Sequence, residues 1–193
     1  MRPAPARVGD AIAAIESPAL VIDLDALERN IARMAAFARE RGLRLRPHAK
    51  THKSAQIARL QIAAGAVGVC VQKTSEAEAL AAQGIADIFI SNEVIAEDRL
   101  ARVAALAQRV RLAIAVDSPL GVDRLARAVQ AAGSTIDVFV EVDVGQGRCG
   151  VAPAAAGGLA RLVASHAGLR LAGLQAYHGG AQHIRASTER EAA

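Results

Sequence analysis

The 193-residue sequence is nearly devoid of aromatic side chains: three phenylalanines, one tyrosine and no tryptophan, 2% of the chain. Stacking platforms for single-stranded nucleic acid need exposed rings, so this poverty tells against such a partner. Cysteine is as scarce. Cys70 and Cys149 lie far apart and fit no metal-ligand spacing, so two reduced thiols are expected rather than a disulfide framework. Long apolar runs are missing too. The longest stretch without a formal charge, Leu171 to Ile184, has 14 residues and contains Tyr177, His178 and two adjacent glycines. A membrane span needs about 18 apolar residues or more. No block of like charge occurs either; the net charge of +4 comes from arginines scattered singly, which reads as solvated helix surface and not as a nucleic-acid footprint. The start, Met1-Arg-Pro-Ala-Pro, lacks an apolar signal core. A cytoplasmic protein without nucleic-acid or membrane partners is expected.

What is present is the composition of a globular domain, 52% hydrophobic and 22% charged. Short apolar runs alternate with longer alanine- and leucine-rich stretches. Strands are predicted at Leu43–Arg46, Val67–Val71, Asp87–Ile90, Arg111–Val116, Ile136–Val144 and Leu171–Tyr177. Helices are predicted at Ser54–Ala64, Ser75–Gln83, Glu97–Gln108, Ser118–Ala132 and Pro153–His166, with Ser75 and Ser118 as N-caps. The strands are rich in β-branched residues, and the helices carry three-to-four spacing, as in Leu100, Val103, Leu106 and Val110. Before them, Ala19-Leu-Val-Ile-Asp23 reads as a strand, and Asp25-Ala-Leu-Glu28 as a carboxylate capping box opening a helix. The repetition implies a parallel sheet covered by helices. Six strand-helix units fall short of the eight of a (β/α)8 barrel, which takes about 250 residues. An open, doubly wound sheet is the competing architecture.

Three clusters at strand ends could carry chemistry. The densest is Arg46-Pro-His-Ala-Lys-Thr-His-Lys53. In an extended chain Arg46, His48, Lys50 and His52 share one face. A lysine must be neutral to attack an aldehyde, and the positive charge of Arg46 and Lys53 would favour that form of Lys50. A basic strand end simply exposed to water is the alternative. The second cluster, Gly145-Gln-Gly-Arg-Cys-Gly150, matches G-x-G-x-x-G, but Pro153 delays the helix and no carboxylate follows at the distance a dinucleotide site requires. A tight loop presenting Arg148 fits better, with loop geometry devoid of function also open. In the third, Gln175-Ala-Tyr-His-Gly-Gly180, the sole tyrosine, Tyr177, stands beside His178 and flexible glycines. It suits either a ligand contact or a core position with a satisfied hydroxyl. Gln72, Lys73, Ser91, Asn92 and Asp117 end other strands on the same side.

These segments carry a resemblance. The lysine motif, the opening Ser17-Pro-Ala-Leu-Val-Ile-Asp-Leu-Asp25, the loop Asp143–Val151 and Gly173-Leu-Gln-Ala-Tyr-His-Gly179 are similar, in the same order, to the fold-type III pyridoxal-phosphate enzymes. These include D-threonine aldolase, D-serine dehydratase and the alanine racemase N-terminal domain. Within the family, Gly65–Glu76 and Ala181-Gln-His-Ile-Arg185 look nearest to 3-hydroxy-D-aspartate aldolase. The resemblance implies a pyridoxal-phosphate-binding barrel of the alanine racemase type, cut after about six units. Residues 1–24 would be an N-terminal segment whose strand pairs with an absent C-terminal β-domain, and residues 25–193 an incomplete barrel. It implies Lys50 as the Schiff-base residue, Arg148 against the cofactor's phenolic oxygen, and Gln72 and Tyr177 as further cofactor contacts. The activity implied is cleavage of the Cα–Cβ bond of a β-hydroxy-D-amino acid, helped by a divalent metal, Mg or Mn, whose ligands lie in the C-terminal domain. A homodimer is the assembly entertained for a full-length enzyme. Dehydration of the same substrates, a non-catalytic cofactor-binding barrel, and a cofactor-free Schiff-base aldolase are the alternatives. A barrel short of two strands leaves two unpaired edges, so the 193-residue chain alone is expected to fold poorly and lack activity.

Overall fold

A computed structural model describes residues 5–192. Five parallel strands, β1 (Val69–Val71), β2 (Asp87–Glu93), β3 (Arg111–Val116), β4 (Ile136–Val142) and β5 (Leu169–Ala176), form one sheet in the order β1-β2-β3-β4-β5. Helices α3 (Thr74–Ala82), α4 (Glu97–Leu106), α5 (Pro119–Ala132) and α6 (Pro153–Ser165) connect them; α1 (Leu24–Glu40) and α2 (Ala55–Ala63) precede, and α7 (Ser187–Ala192) follows. A doubly wound sheet reverses its strand order partway. This one never does, so the competing architecture is set aside. Right-handed crossovers that always step to the same side keep every connecting helix on one face, which is how a barrel wall is built.

The strand sequences explain the two faces. Ile88, Ile90, Ile114, Ile136, Val138 and Val140 are buried against Leu100, Val103, Val122, Leu125, Val129, Leu159 and Val163 from the helices. Alternate residues point the other way. On β4 these are Asp137, Phe139 and Glu141, and on β2 they are Asp87, Phe89 and Ser91. The rings of Phe89 and Phe139 meet with centroids 4.8 Å apart, across a β3 that carries only Ala113 and Ala115 between them.

The caps are local chemistry. Ser118 Oγ accepts from Gly121 N–H, as the sequence predicts, with Pro119 at the first helical position, and Ser54 Oγ accepts from Ile57 N–H. Two expected caps move. Asp23, not Asp25, caps α1 by accepting from Ala26 N–H at 2.9 Å; either aspartate can cap, and the earlier one leaves Asp25 in the first turn, where a negative charge favours the helix. Ser75 lies inside α3, whose start is held by the Glu76 carboxylate accepting from the N–H groups of Gln72 and Lys73.

Two predicted strands also change. Ala19–Asp23 forms no strand; Leu20, Val21 and Ile22 stand exposed, because no described segment offers them a ladder. Residues 43–46 are not a regular strand, yet the segment runs beside β1. Val67 N–H donates to Leu45 O, Cys70 N–H to Pro47 O, and Ala49 N–H to Cys70 O. Pro47 lacks an N–H and can give this ladder only its carbonyl. The Lys50 motif therefore occupies the position of a first barrel strand.

At the N-terminal ends of the strands, charges alternate across the inner face. Arg46 pairs with Asp87 at 2.7 Å, Arg111 with Asp87 and Asp137, and Arg170 with Asp137 at 2.9 Å. Gly68, at φ +154°, makes room for the first pair: a Cβ there would lie 2.5 Å from both Arg46 Nη1 and the Asp87 carbonyl.

Candidate active site

A cavity of about 360 Å³ opens at the C-terminal ends of the strands. Its walls include Lys50, Gln72, Arg148 and Tyr177. The four residues singled out in the sequence thus converge from the segment before β1, the end of β1, the loop after β4 and the end of β5. His48, Ser91, Phe89, Phe139 and Gln175 complete much of the lining.

Lys50 follows the His48–Cys70 bridge that ties its segment to β1. Its backbone N–H donates to His48 Nδ1 at 3.2 Å, and His48 Nε2 lies 3.3 Å from Ser91 Oγ. Burial, then the nearby Lys50 charge, holds His48 below the ordinary histidine range, so it serves as a neutral wedge at neutral pH. The Lys50 amine makes no hydrogen bond or ion pair among the described residues and remains free for a ligand. Arg46, His48 and Lys50 face the cavity as expected; His52 does not. The chain turns there, with Lys53 N–H donating to Ala49 O and Lys53 itself at φ 50°, so the extended alternation ends at Lys50. The charge expected to act on Lys50 is also compensated: Arg46 is paired with Asp87 and Lys53 with Glu76.

The glycine loop closes on itself. Gly145 and Gly147, both at positive φ, donate their N–H groups to Asp143 Oδ1 at 3.0 Å each, and these bonds hold Asp143 below the usual carboxylate range. Amides that could cradle a phosphate already hold a carboxylate. The dinucleotide reading fails for this physical reason, and the loop instead presents Arg148. Gly150 is required by contact: a Cβ would sit 2.5 Å from Asp143 N. The Arg148 guanidinium lies over the Tyr177 ring, 4.8 Å from its centroid, within cation–π range. Gln146 Oε1 accepts from Gly179 N–H and joins the loop to the Tyr177 segment.

Sequence reasoning missed Glu141, which is 2% exposed. Its carboxylate accepts from Arg148 Nη2 at 3.4 Å and from the Gln175 side-chain amide. The signal was there: an acid at an inward position of Ile136-Asp-Val-Phe-Val-Glu-Val. Nearby Glu93 is pushed up to about 7 by burial, then by the neighbouring Glu141 carboxyl and by Asp117. Glu93, Asp117 and Cys149 bring ligand atoms within 4.8 Å of one another. Asp117 is engaged by Gly150 N–H. Cys70 is buried and Cys149 half-buried, and both are free thiols.

A parallel, sequentially wound α/β sheet with a lysine-bearing cavity at its C-terminal edge defines a class, the barrel enzymes whose sites sit on that edge. The comparisons narrow it. Residues 22–193 match the family model for the alanine racemase N-terminal domain, and the chain belongs to that family. It is 47% identical over 189 residues to D-threonine aldolase of Arthrobacter sp., a match covering 97% of this chain and 50% of that protein. It is 41% identical over 181 residues to 3-hydroxy-D-aspartate aldolase of Paracoccus denitrificans (strain Pd 1222), covering 92% and 47%. The crystal structure of D-threonine aldolase from Filomicrobium marinum superposes with a TM-score of 0.94 at 50% identity, covering all of this chain and 52% of that one. The chain therefore spans about half the length of the relatives it matches. No helix among the described residues is long and apolar enough to cross a membrane.

Proposed function

We propose that this chain supplies the lysine-bearing part of a pyridoxal-phosphate lyase acting on β-hydroxy-D-amino acids, with carbon–carbon cleavage as its reaction. One observation carries the reading: the uncommitted Lys50 amine shares a single cavity with Gln72, Arg148 and Tyr177. The donor set suits the cofactor. Lys50 supplies the amine that attaches an aldehyde, Arg148 a cation for an anionic ring oxygen, Tyr177 an apolar face, and Gln72 an amide to fix orientation. Bound there, pyridoxal phosphate supplies the electron sink for charge left at the substrate's Cα. Phe89 and Phe139 form an apolar floor that excludes water beneath it. The aldolases among its relatives support cleavage as the reaction. A divalent metal held outside residues 1–193, a homodimer and a cytoplasmic location complete the proposal.

Adding pyridoxal phosphate to the purified protein tests it. Absorbance in the region of about 410–430 nm, characteristic of a lysine-bound cofactor, should develop in the parent and be absent from Lys50→Ala. Given 3-hydroxy-D-aspartate, a cleaving enzyme releases glycine and glyoxylate, whereas oxaloacetate would assign dehydration instead. A parent protein that binds no cofactor would defeat the proposal.

A further inference from the structure

Arg148 is a long, half-exposed side chain at the tip of a glycine-rich loop, with a side-chain exposure of 40%. Left alone, such a side chain samples many rotamers. Here it is held from below. Glu141 lies seven residues earlier on β4, and its side chain is 3% exposed. The loop returns to the same residue: Val151 N–H donates to the Glu141 carbonyl at 2.9 Å, and Asp143 N–H to the Val151 carbonyl at 2.9 Å. Glu141 therefore grips the loop at its backbone and Arg148 at its guanidinium. Its second carboxylate oxygen takes the amide of Gln175, which also lines the cavity.

A buried carboxylate is costly unless paired. A position needing only to fill space on this inner face would carry an apolar side chain, as position 139 does with Phe139. Arg148 is the cation that pairs with the Glu141 carboxylate, at 3.4 Å.

We propose that Glu141 is the positioning residue of this site: it fixes the Arg148 guanidinium against the Tyr177 ring and the Gln175 amide beside it, so that both face the cavity in a set orientation. The inference concerns the geometry of Arg148. It rests on the proposed function only in taking Arg148 as a cofactor contact.

Tyr177 is the only tyrosine and no tryptophan is present, so ¹³C-tyrosine labelling yields one ring signal that reports Arg148 without any cofactor. Arg148→Met should shift that signal. Glu141→Gln should shift it in the same direction, and the double variant should add nothing further, the signature of one residue acting through another. Glu141→Asp, which keeps the charge on a shorter arm and provides a reading if the glutamine variant does not fold, should give an intermediate shift. In titrations with pyridoxal phosphate, Glu141→Gln should weaken binding roughly tenfold, the loss expected for a charge-assisted hydrogen bond, and have no effect in the Arg148→Met background. A Tyr177 signal unmoved by Arg148→Met, unmoved by both Glu141 variants, or moved additively in the double variant would overturn the inference. A parent protein that takes up no cofactor would sink the functional proposal, while the Tyr177 signal would still decide the role of Glu141.

Discussion

The two ends of the sheet handle charge in opposite ways. At the N-terminal ends, Arg46, Asp87, Arg111, Asp137 and Arg170 alternate, and each aspartate lies between two arginines. At the C-terminal ends, Glu93 and Asp117 lie beside Glu141, which pairs with Arg148, and this crowding together with burial pushes Glu93 up to about 7. Every charge of the lower ladder has a partner within it, and only Arg46 also reaches the cavity wall. The upper group is left with an uncommitted lysine, a crowded acid pair and a cavity. A barrel fold divides its labour in this way, with stability at one end and chemistry at the other.

The sharpest test of that division is Lys50→Ala. It should remove the cofactor absorbance completely while leaving the melting temperature of the cofactor-free protein within a few degrees, because the Lys50 side chain is exposed and makes no contact that folding requires. A large drop in melting temperature would show that the upper end also carries stability. The converse substitution is Gly68→Ala at the lower end. Its methyl would meet the Asp87 carbonyl and Arg46 at 2.5 Å, at a φ that disfavours a side chain, so a loss of about 2–4 kcal/mol is expected in denaturant unfolding.

Glu93→Gln probes the acid pair through pH. The carboxyl of Glu93 lies at about 7 in the folded protein against an ordinary 4.5, so between these values the folded state binds more protons than the unfolded one. Stability from this group is thus greatest below about pH 4.5, falls as pH rises towards 7, and levels off above. The glutamine variant should lose that slope and be more stable than the parent at pH 8 by about 1–2 kcal/mol, after allowance for partial solvation. An unchanged slope in pH-dependent unfolding would refute the raised Glu93 carboxyl. The smallest effect belongs to Asp137→Asn. Its partners Arg111 and Arg170 have side chains 63% and 59% exposed and can turn to water, so only about 0.5–1 kcal/mol should be lost, and less at high salt.

Much of this could be read from residue order. Alternation of apolar and polar residues placed five strands and the helices between them to within a few residues, and Ser118 announced its helix start. The misread positions share one cause. Ala19–Asp23 has strand chemistry but no described partner. The cap of α1 could fall on either of two aspartates. His52 lost its place when the chain turned after Lys50. In each case the deciding group is distant in sequence, or equally suitable neighbours compete for one role. Glu141 was passed over because its meaning depends on Arg148 and Gln175, which reach it only once β4, its loop and β5 are assembled.

The sequence by itself determined the alternation of strand and helix, the lysine motif after a strand-like first segment, and membership of a family whose members share those motifs. These are local or linear properties, set by side-chain periodicity and by residue types that suit few purposes. Only the tertiary structure decided the strand order that rules out a doubly wound sheet, the closing of the glycine loop on Asp143, and the seating of Arg148 between Glu141 and Tyr177. Those outcomes depend on burial and on hydrogen bonds between segments tens of residues apart, and burial is a property that no linear stretch of chain possesses before it folds.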